Sequence, residues 1–361
     1  MLVFKMNCEH ESNGAGALTR RRLLQLSAAG GGAIVAAAAL PAGLAAQMPA
    51  KKLIDVHHHV APTNWLSQGG TPDEARVFKG WSIPKTLDEM DRAGVATAYA
   101  SITVPGHRFD DPANARRVTR ECNEYMADLR VQHPGRFGMF AMLPMPNISD
   151  TLAEIAYAYD TLKTDGIGLF TSYGDKYIGN ADFDPVFAEL NRRNAVVFVH
   201  PTVGPCCGTV QPWLATAQIE YGTDTTRAIA EYIFKGGTQK YPNVKMIWSH
   251  AGGTMPFLAQ RFINSGAENF KTALPNGFLA EANKCYYDTA QVPSKGTMLA
   301  LRTIVSPSQI LYGTDYPYRG FQWTEDMLTA DAVFNPRELQ AIYRDNSVRI
   351  QAQAGRPAPA V

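Results

Sequence analysis

Three consecutive histidines close the apolar run LIDVHHH at residues 53–59, in a chain with eight histidines in all. Successive side chains of a strand alternate between its two faces. Asp55, His57 and His59 are therefore expected to share one face, and Val56, His58 and Val60 the other. Two imidazoles two residues apart on one face can grip one metal ion. Three later apolar runs end in the same chemistry: His200 closes VVFVH, His250 closes MIWSH and Asp315 closes LYGTD. A lone histidine is more often a hydrogen-bonded core residue, and an H-x-H pair alone is a weak signal. Four strand-like segments ending this way point to one site. Three imidazoles and a carboxylate suit a first-row divalent metal such as zinc, with manganese as the other choice. His57, His59, His200 and Asp315 would be the ligands, leaving at least one position for water or substrate. His250 would act beside them as acid/base, the usual task of an imidazole near neutral pH. The glycines of SHAGGTMP, just after it, permit a tight turn. His10, His107 and His133 fall in leader-like or loop-like sequence and are set aside.

Such a site needs a scaffold that brings strand ends together. From residue 53 onward, strand-like runs (LIDVH, ATAYASI, FGMFAML, GIGLF, AVVFVH, VKMIWSH, CYYDT, QILYGTD) alternate with helical patterns such as KTLDEMDRAG and DPVFAELNRRN. Several of the helical patterns end at Gly or Asn, as helix C-termini do. Eight strands, most followed by a helix, predict a (β/α)8 TIM barrel, whose catalytic groups gather at the C-terminal ends of the strands. A doubly wound open sheet is the competing arrangement, but no Gly-rich phosphate loop follows any strand. The 361 residues are 45% hydrophobic and 19% charged, enough for one large core. A net charge of +1 gives no electrostatic reason to expect nucleic acid or an anionic membrane as partner.

The first fifty residues read differently. Arg20–Arg22 precede a Gly/Ala-rich run without charge until Lys51, and Ala45 and Ala46 suit a signal peptidase. Residues 1–46 resemble a twin-arginine export signal, so residues 47–361 form the expected mature barrel domain, delivered to the periplasm or otherwise exported by the twin-arginine machinery. A membrane anchor is the alternative; the Gly/Ala content makes the run less apolar than a usual span. Cleavage would leave 30 basic against 31 acidic residues. That pathway carries folded proteins, which fits a metal loaded before export. Of five cysteines, Cys122, Cys206, Cys207 and Cys285 would remain. No C-x-x-C pair occurs, which argues against a zinc ribbon or thioredoxin motif. Adjacent Cys206 and Cys207 are expected to be free thiols.

In this order, IDVHHH, VFVHPT, WSHAGGTMPFLAQR and LYGTDYP resemble the amidohydrolase-superfamily branch that contains aminocarboxymuconate-semialdehyde decarboxylase. The stretch from GIGLFTSYGDK to VVFVHPT is similar to methylsalicylate-decarboxylase-like members. The resemblance covers essentially the whole mature chain. It implies His57, His59, His200 and Asp315 as metal ligands and His250 as catalytic acid/base. Two-metal members of the superfamily carry a bridging carboxylated lysine after the fourth strand. Here Phe170 and Thr171 stand at that place, so one metal is expected. The implied reaction is non-oxidative decarboxylation of an aromatic or unsaturated carboxylic acid, the proton coming from His250 or Asp315. Hydrolysis of a lactone, ester or amide by the same kind of site is the alternative. A non-catalytic binding barrel would leave His250 without a task.

Groups for the substrate are sought in the loops. Arg76, Lys79 and Trp81, in GGTPDEARVFKGW, could cover the site; Thr171, Ser172 and Tyr173 follow the fourth strand; Trp213 lies in the long loop after His200. Arg261, eleven residues after His250, falls about two turns along its helix, a poor position for reaching its own barrel's pocket. The resemblance implies a homodimer or higher homo-oligomer in which this arginine enters the neighbour's site and binds substrate carboxylate, for which a guanidinium fork is suited.

Overall fold

The computed structural model describes residues 52–67, 71–103, 105–204, 206–207, 213–265 and 270–357. The signal-type segment expected over residues 1–46 lies outside them. Eight strands follow in chain order around one parallel sheet: β1 Leu53–His59, β2 Val95–Ser101, β3 Phe137–Met142, β4 Gly166–Phe170, β5 Val196–His200, β6 Lys245–Trp248, β7 Tyr286–Asp288 and β8 Ile310–Leu311. Beyond β8 the chain returns to β1. His58 bridges Tyr316, and the N–H groups of Val56 and His59 donate to the carbonyls of Tyr312 and Tyr316 at 3.0 and 2.7 Å. The sheet closes, so the expected barrel forms and the open sheet does not.

Every residue of β1, β3 and β5 is buried. Parallel strands covered on both faces read as unbroken apolar runs, which is how they show in the sequence. The crossovers are filled by α1 Ile83–Ala93, α2 Pro112–Gln132, α3 Ile148–Asp160, α4 Asp184–Arg192, α5 Glu220–Phe234, α6 Met255–Ile263 and α7 Lys295–Ile304, with α8 Phe321–Ala330 after β8. Local sequence sets their limits. The side chains of Ser82, Asp111, Asn147 and Ser294 each accept the N–H three residues on, satisfying a donor that the first turn leaves free.

Inside the barrel, Ile54, Val56, Tyr99, Phe140, Val196, Phe198, Ile247, Tyr286 and Leu311 pack together. Tyr99 stacks on Phe140 at 5.0 Å, Phe140 on Phe198 at 5.6 Å, and Phe198 meets the His57 ring edge-on at 4.8 Å. This aromatic column is the floor of the site.

The β1 strand departs from strict alternation. Its register against β2 shifts between Asp55 and His58. Ile54 and Val56 point into the barrel, yet His57 and His59 converge above it. Asp55 sits with His58 instead, Oδ2 lying 3.7 Å from Nδ1. The expected grouping of Asp55 with His57, and of Val56 with His58, is thus corrected. A bulge moves the inward face from even to odd positions. The histidine pair survives because its members stay two residues apart beyond Val56.

Candidate active site

His57 and His59 come from β1, His200 ends β5, and Asp315 lies four residues past β8; their ligand atoms are all within 4.8 Å of one another and the four residues are buried. His57 Nε2 and His59 Nε2 are 3.1 Å apart, and Asp315 Oδ1 is 3.3 and 3.0 Å from them. Donors about 2.1 Å from one ion stand roughly 3.0–3.5 Å from each other. Three of the four already have that spacing. Asp315 Oδ1 accepts no well-aligned hydrogen bond, so its charge is aimed at the meeting point of the imidazoles. The set fits a single divalent cation. No second cluster of this kind occurs among the described residues. Lys176 pairs with Asp182 in the short hairpin after β4, away from a bridging role. His58 stands outside the cluster, stacked on Tyr316 at 5.0 Å and Phe321 at 5.8 Å.

Each ligand ring is oriented through its other nitrogen. His57 Nδ1 lies 2.8 Å from Asp288 Oδ2, His59 Nδ1 is 3.1 Å from Ser101 Oγ, and His200 Nδ1 donates to the Pro201 carbonyl at 2.9 Å. Burial pushes the His57 pKa down, but Asp288 and Asp315 outweigh it and raise it to about 10. Burial lowers His59, and holds His200 well below the ordinary imidazole value with help from its neighbouring imidazoles. Burial alone would raise Asp315; His57 foremost, with His250 and His59, holds it well below the usual carboxylate range. Neutral His59 and His200 beside an ionised Asp315 are the forms that coordinate a metal, and His57 would release a proton when it coordinates one.

His250 lies in a turn, His250–Gly252, just beyond β6. Its N–H donates to Asp288 Oδ1 at 2.8 Å, and its Nε2 is 3.5 Å from Asp315 Oδ2. The glycines that follow are required by packing. A Cβ on Gly253 would lie 1.9 Å from the Gly222 carbonyl oxygen of α5, and the backbone there has φ +66°.

Several of these partners were not singled out from the sequence. Asp288 ends β7 in CYYDT, so the strand-end rule applied to the other four residues would have found it. Gln291, whose side chain donates to Asp315 Oδ2 at 2.7 Å, carries no motif. Nor do Tyr318 and Tyr221, whose rings stand 5.8 Å from His59 and 5.9 Å from His200 and wall the site.

Substrate-side expectations fare unevenly. Trp81 packs on Phe78 at 5.4 Å, and Phe78 abuts Tyr318 at 6.1 Å, which makes Trp81 the third ring out from His59. Arg76 is exposed on a short helix, Pro72–Val77, started by a Thr71/Glu74 capping box where a loop was expected. Thr171 and Tyr173 are turned toward partners within the fold. Both are buried; the Thr171 hydroxyl donates to Asp224, and the Tyr173 hydroxyl accepts the Phe170 N–H at 3.0 Å while its ring packs on Phe183. Their polar atoms hold the fold. Trp213 is 79% exposed, and Arg261 is exposed on α6 one turn after the 88% exposed Phe257. Cys206 and Cys207 are also corrected, because the turn they occupy brings the sulfurs into a disulfide. Cys122 and Cys285 are free and buried, burial raising each thiol to about 12.

The family model described as amidohydrolase matches residues 54–350. The chain belongs to the amidohydrolase family. Among curated relatives, this amidohydrolase is 38% identical to decarboxylase macB of Penicillium terrestre, over 73% of this chain and 84% of that one. It is 37% identical to 6-methylsalicylic acid decarboxylase of Penicillium expansum, with the same shares covered. Among solved structures, its fold matches a dihydroxybenzoic acid decarboxylase from Polaromonas sp. JS666, holding manganese and the inhibitor 2-nitroresorcinol, with TM-score 0.75 and 20% identity over 86% of this chain and 99% of that one.

Proposed function

We propose that this amidohydrolase is a metal-dependent, non-oxidative carboxy-lyase that releases carbon dioxide from a hydroxylated aromatic acid. One observation carries the reading: a single-ion donor set, His57, His59, His200 and Asp315, with a further imidazole, His250, 3.5 Å from the ligand carboxylate. The family's named decarboxylases at 37–38% identity support it. When bound, a divalent cation holds and polarises the substrate's carboxylate or a neighbouring hydroxyl. The imidazole-rich donors favour zinc; manganese, held by the Polaromonas protein, is the other ion for metal analysis to seek.

The chain's own residues supply the rest. Loss of carbon dioxide leaves the bonding electron pair on a ring carbon, which must take up a proton. His250 is placed to hold that proton on Nε2, its turn fixed by Asp288 below and by the close approach of Gly253 to α5. Tyr221 and Tyr318 would enclose a flat ring and exclude water. Trp81 would extend that wall, and Arg76 would meet the substrate at the mouth.

Purified protein should contain one divalent ion per chain and release carbon dioxide from members of a hydroxybenzoate panel that includes 6-methylsalicylate. Ring opening of lactones, without carbon dioxide from any acid, would overturn the reading in favour of a hydrolase.

Two proposals concern its setting. Arg261 of one copy completes the site of a second, making the enzyme a homodimer. Residues 1–46 direct export through the twin-arginine machinery to the periplasm. No helix among the described residues is long and apolar enough to cross a membrane.

A further inference from the structure

Three turns, after β6, β7 and β8, bring groups to Asp315 Oδ2, and the key residue of each has a left-handed backbone: His250 at φ +53°, Gln291 at +61° and Asp315 itself at +65°. The Gln291 side chain donates to Oδ2 at 2.7 Å, and His250 Nε2 stands 3.5 Å from the same atom. The left-handed region favours glycine, and after it asparagine and aspartate. Glycine would carry no side chain at 291, and the asparagine amide is one methylene shorter. Glutamine fits this backbone worse than either and has the reach. Strained positions gather where a side chain has a task. The turn does not need that side chain for its own closure: Asp288 Oδ1 accepts the Ala290 N–H at 3.0 Å, and the Val292 N–H donates to the Ala290 carbonyl at 2.7 Å.

We propose that Gln291 is a positioning residue that divides the two oxygens of Asp315. Its amide claims Oδ2. Oδ1, facing His57 Nε2 and His59 Nε2 at 3.3 and 3.0 Å, is then the single oxygen this carboxylate offers to a cation. The inference rests on the metal-dependent reading above.

The test uses Gln291→Gly and Gln291→Asn in the full chain, both suited to the left-handed backbone. Metal-free protein of each variant should melt at the wild-type temperature or higher, because the backbone is relieved. Zinc affinity, read by competition with a chromophoric chelator, should fall roughly 10- to 100-fold, the usual scale for a partner that orients a ligand. Cobalt-substituted variants should show a changed visible spectrum as Asp315 presents both oxygens. Variants that melt normally, bind zinc as tightly as wild type and keep its cobalt spectrum would overturn the proposal while the metal site stands. A metal-free form melting several degrees lower in both variants would also overturn it, since the side chain would then be structural. Wild-type protein that takes up no ion would overturn both readings.

Discussion

Replacing Asp288 by asparagine tests how the centre is held together. Asp288 is fully buried, and its oxygens serve different partners. Oδ1 accepts the N–H groups of His250 and Ala290 at 2.8 and 3.0 Å, while Oδ2 meets His57 Nδ1 at 2.8 Å. In Asp288→Asn the amide oxygen must stay with the two N–H groups, because an NH2 cannot accept from them. The NH2 then faces His57 Nδ1. A donor there leaves Nδ1 unprotonated and puts the proton on Nε2, the atom that points into the cluster. The lost charge-assisted hydrogen bond is worth about 1.5–3 kcal/mol, so metal affinity should fall about 10- to 100-fold. The metal-free protein should lose only that one hydrogen bond's share of stability, since both backbone bonds remain. In Asp288→Ala those two buried N–H groups lose their acceptor, at about 1–3 kcal/mol each. That variant should lose affinity and also melt well below wild type. Chelator competition reads the first quantity and thermal unfolding of the metal-free proteins the second. An asparagine variant with wild-type affinity would refute the claim that Asp288 sets the His57 tautomer. Equal destabilisation of both variants would refute the assignment of Oδ1 to the turn.

His58→Ala should retain the metal and lose about 2–4 kcal/mol of stability, because it empties a buried ring position against the Tyr316–Phe321 pair, whereas His57→Ala should lose the metal; the reverse pattern of metal content would break the β1 register. His250→Asn should keep near-wild-type metal content while turnover drops roughly 10²-fold or more, and loss of the ion would instead make His250 a ligand. Arg261→Ala should be inactive alone and regain part of its activity when mixed with His250→Ala, since one site of the mixed dimer has every group; no recovery in a verified heterodimer would confine Arg261 to its own subunit. Lysines in place of Arg20 and Arg21 should trap the precursor in the cytoplasm, and unchanged export would end the twin-arginine proposal.

Much of the centre is legible in the sequence because the barrel obeys a one-dimensional rule. Parallel strands buried on both faces read as apolar runs, and their C-terminal ends all meet at one rim. A polar residue closing such a run is therefore placed before any coordinate is known. His57, His59, His200 and Asp315 follow from that rule, and Asp288 obeys it too. Periodicity fails where the backbone leaves its period. The bulge in β1 takes the Asp55 carboxylate off the face the His57 ring uses, leaving it on the His57 N–H and the Thr314 hydroxyl, and the hairpin after β4 turns Tyr173 into the core. Gln291 has no pattern to announce it, since its role exists only once the turns after β7 and β8 stand side by side. His57 and Asp288 are 231 residues apart, and their hydrogen bond forms because the closed barrel puts β1 and β7 within reach across the rim. Residue type and strand position are local properties of the chain; tautomer, ligand geometry and the free oxygen of a carboxylate depend on distances of about 3 Å that only tertiary packing sets.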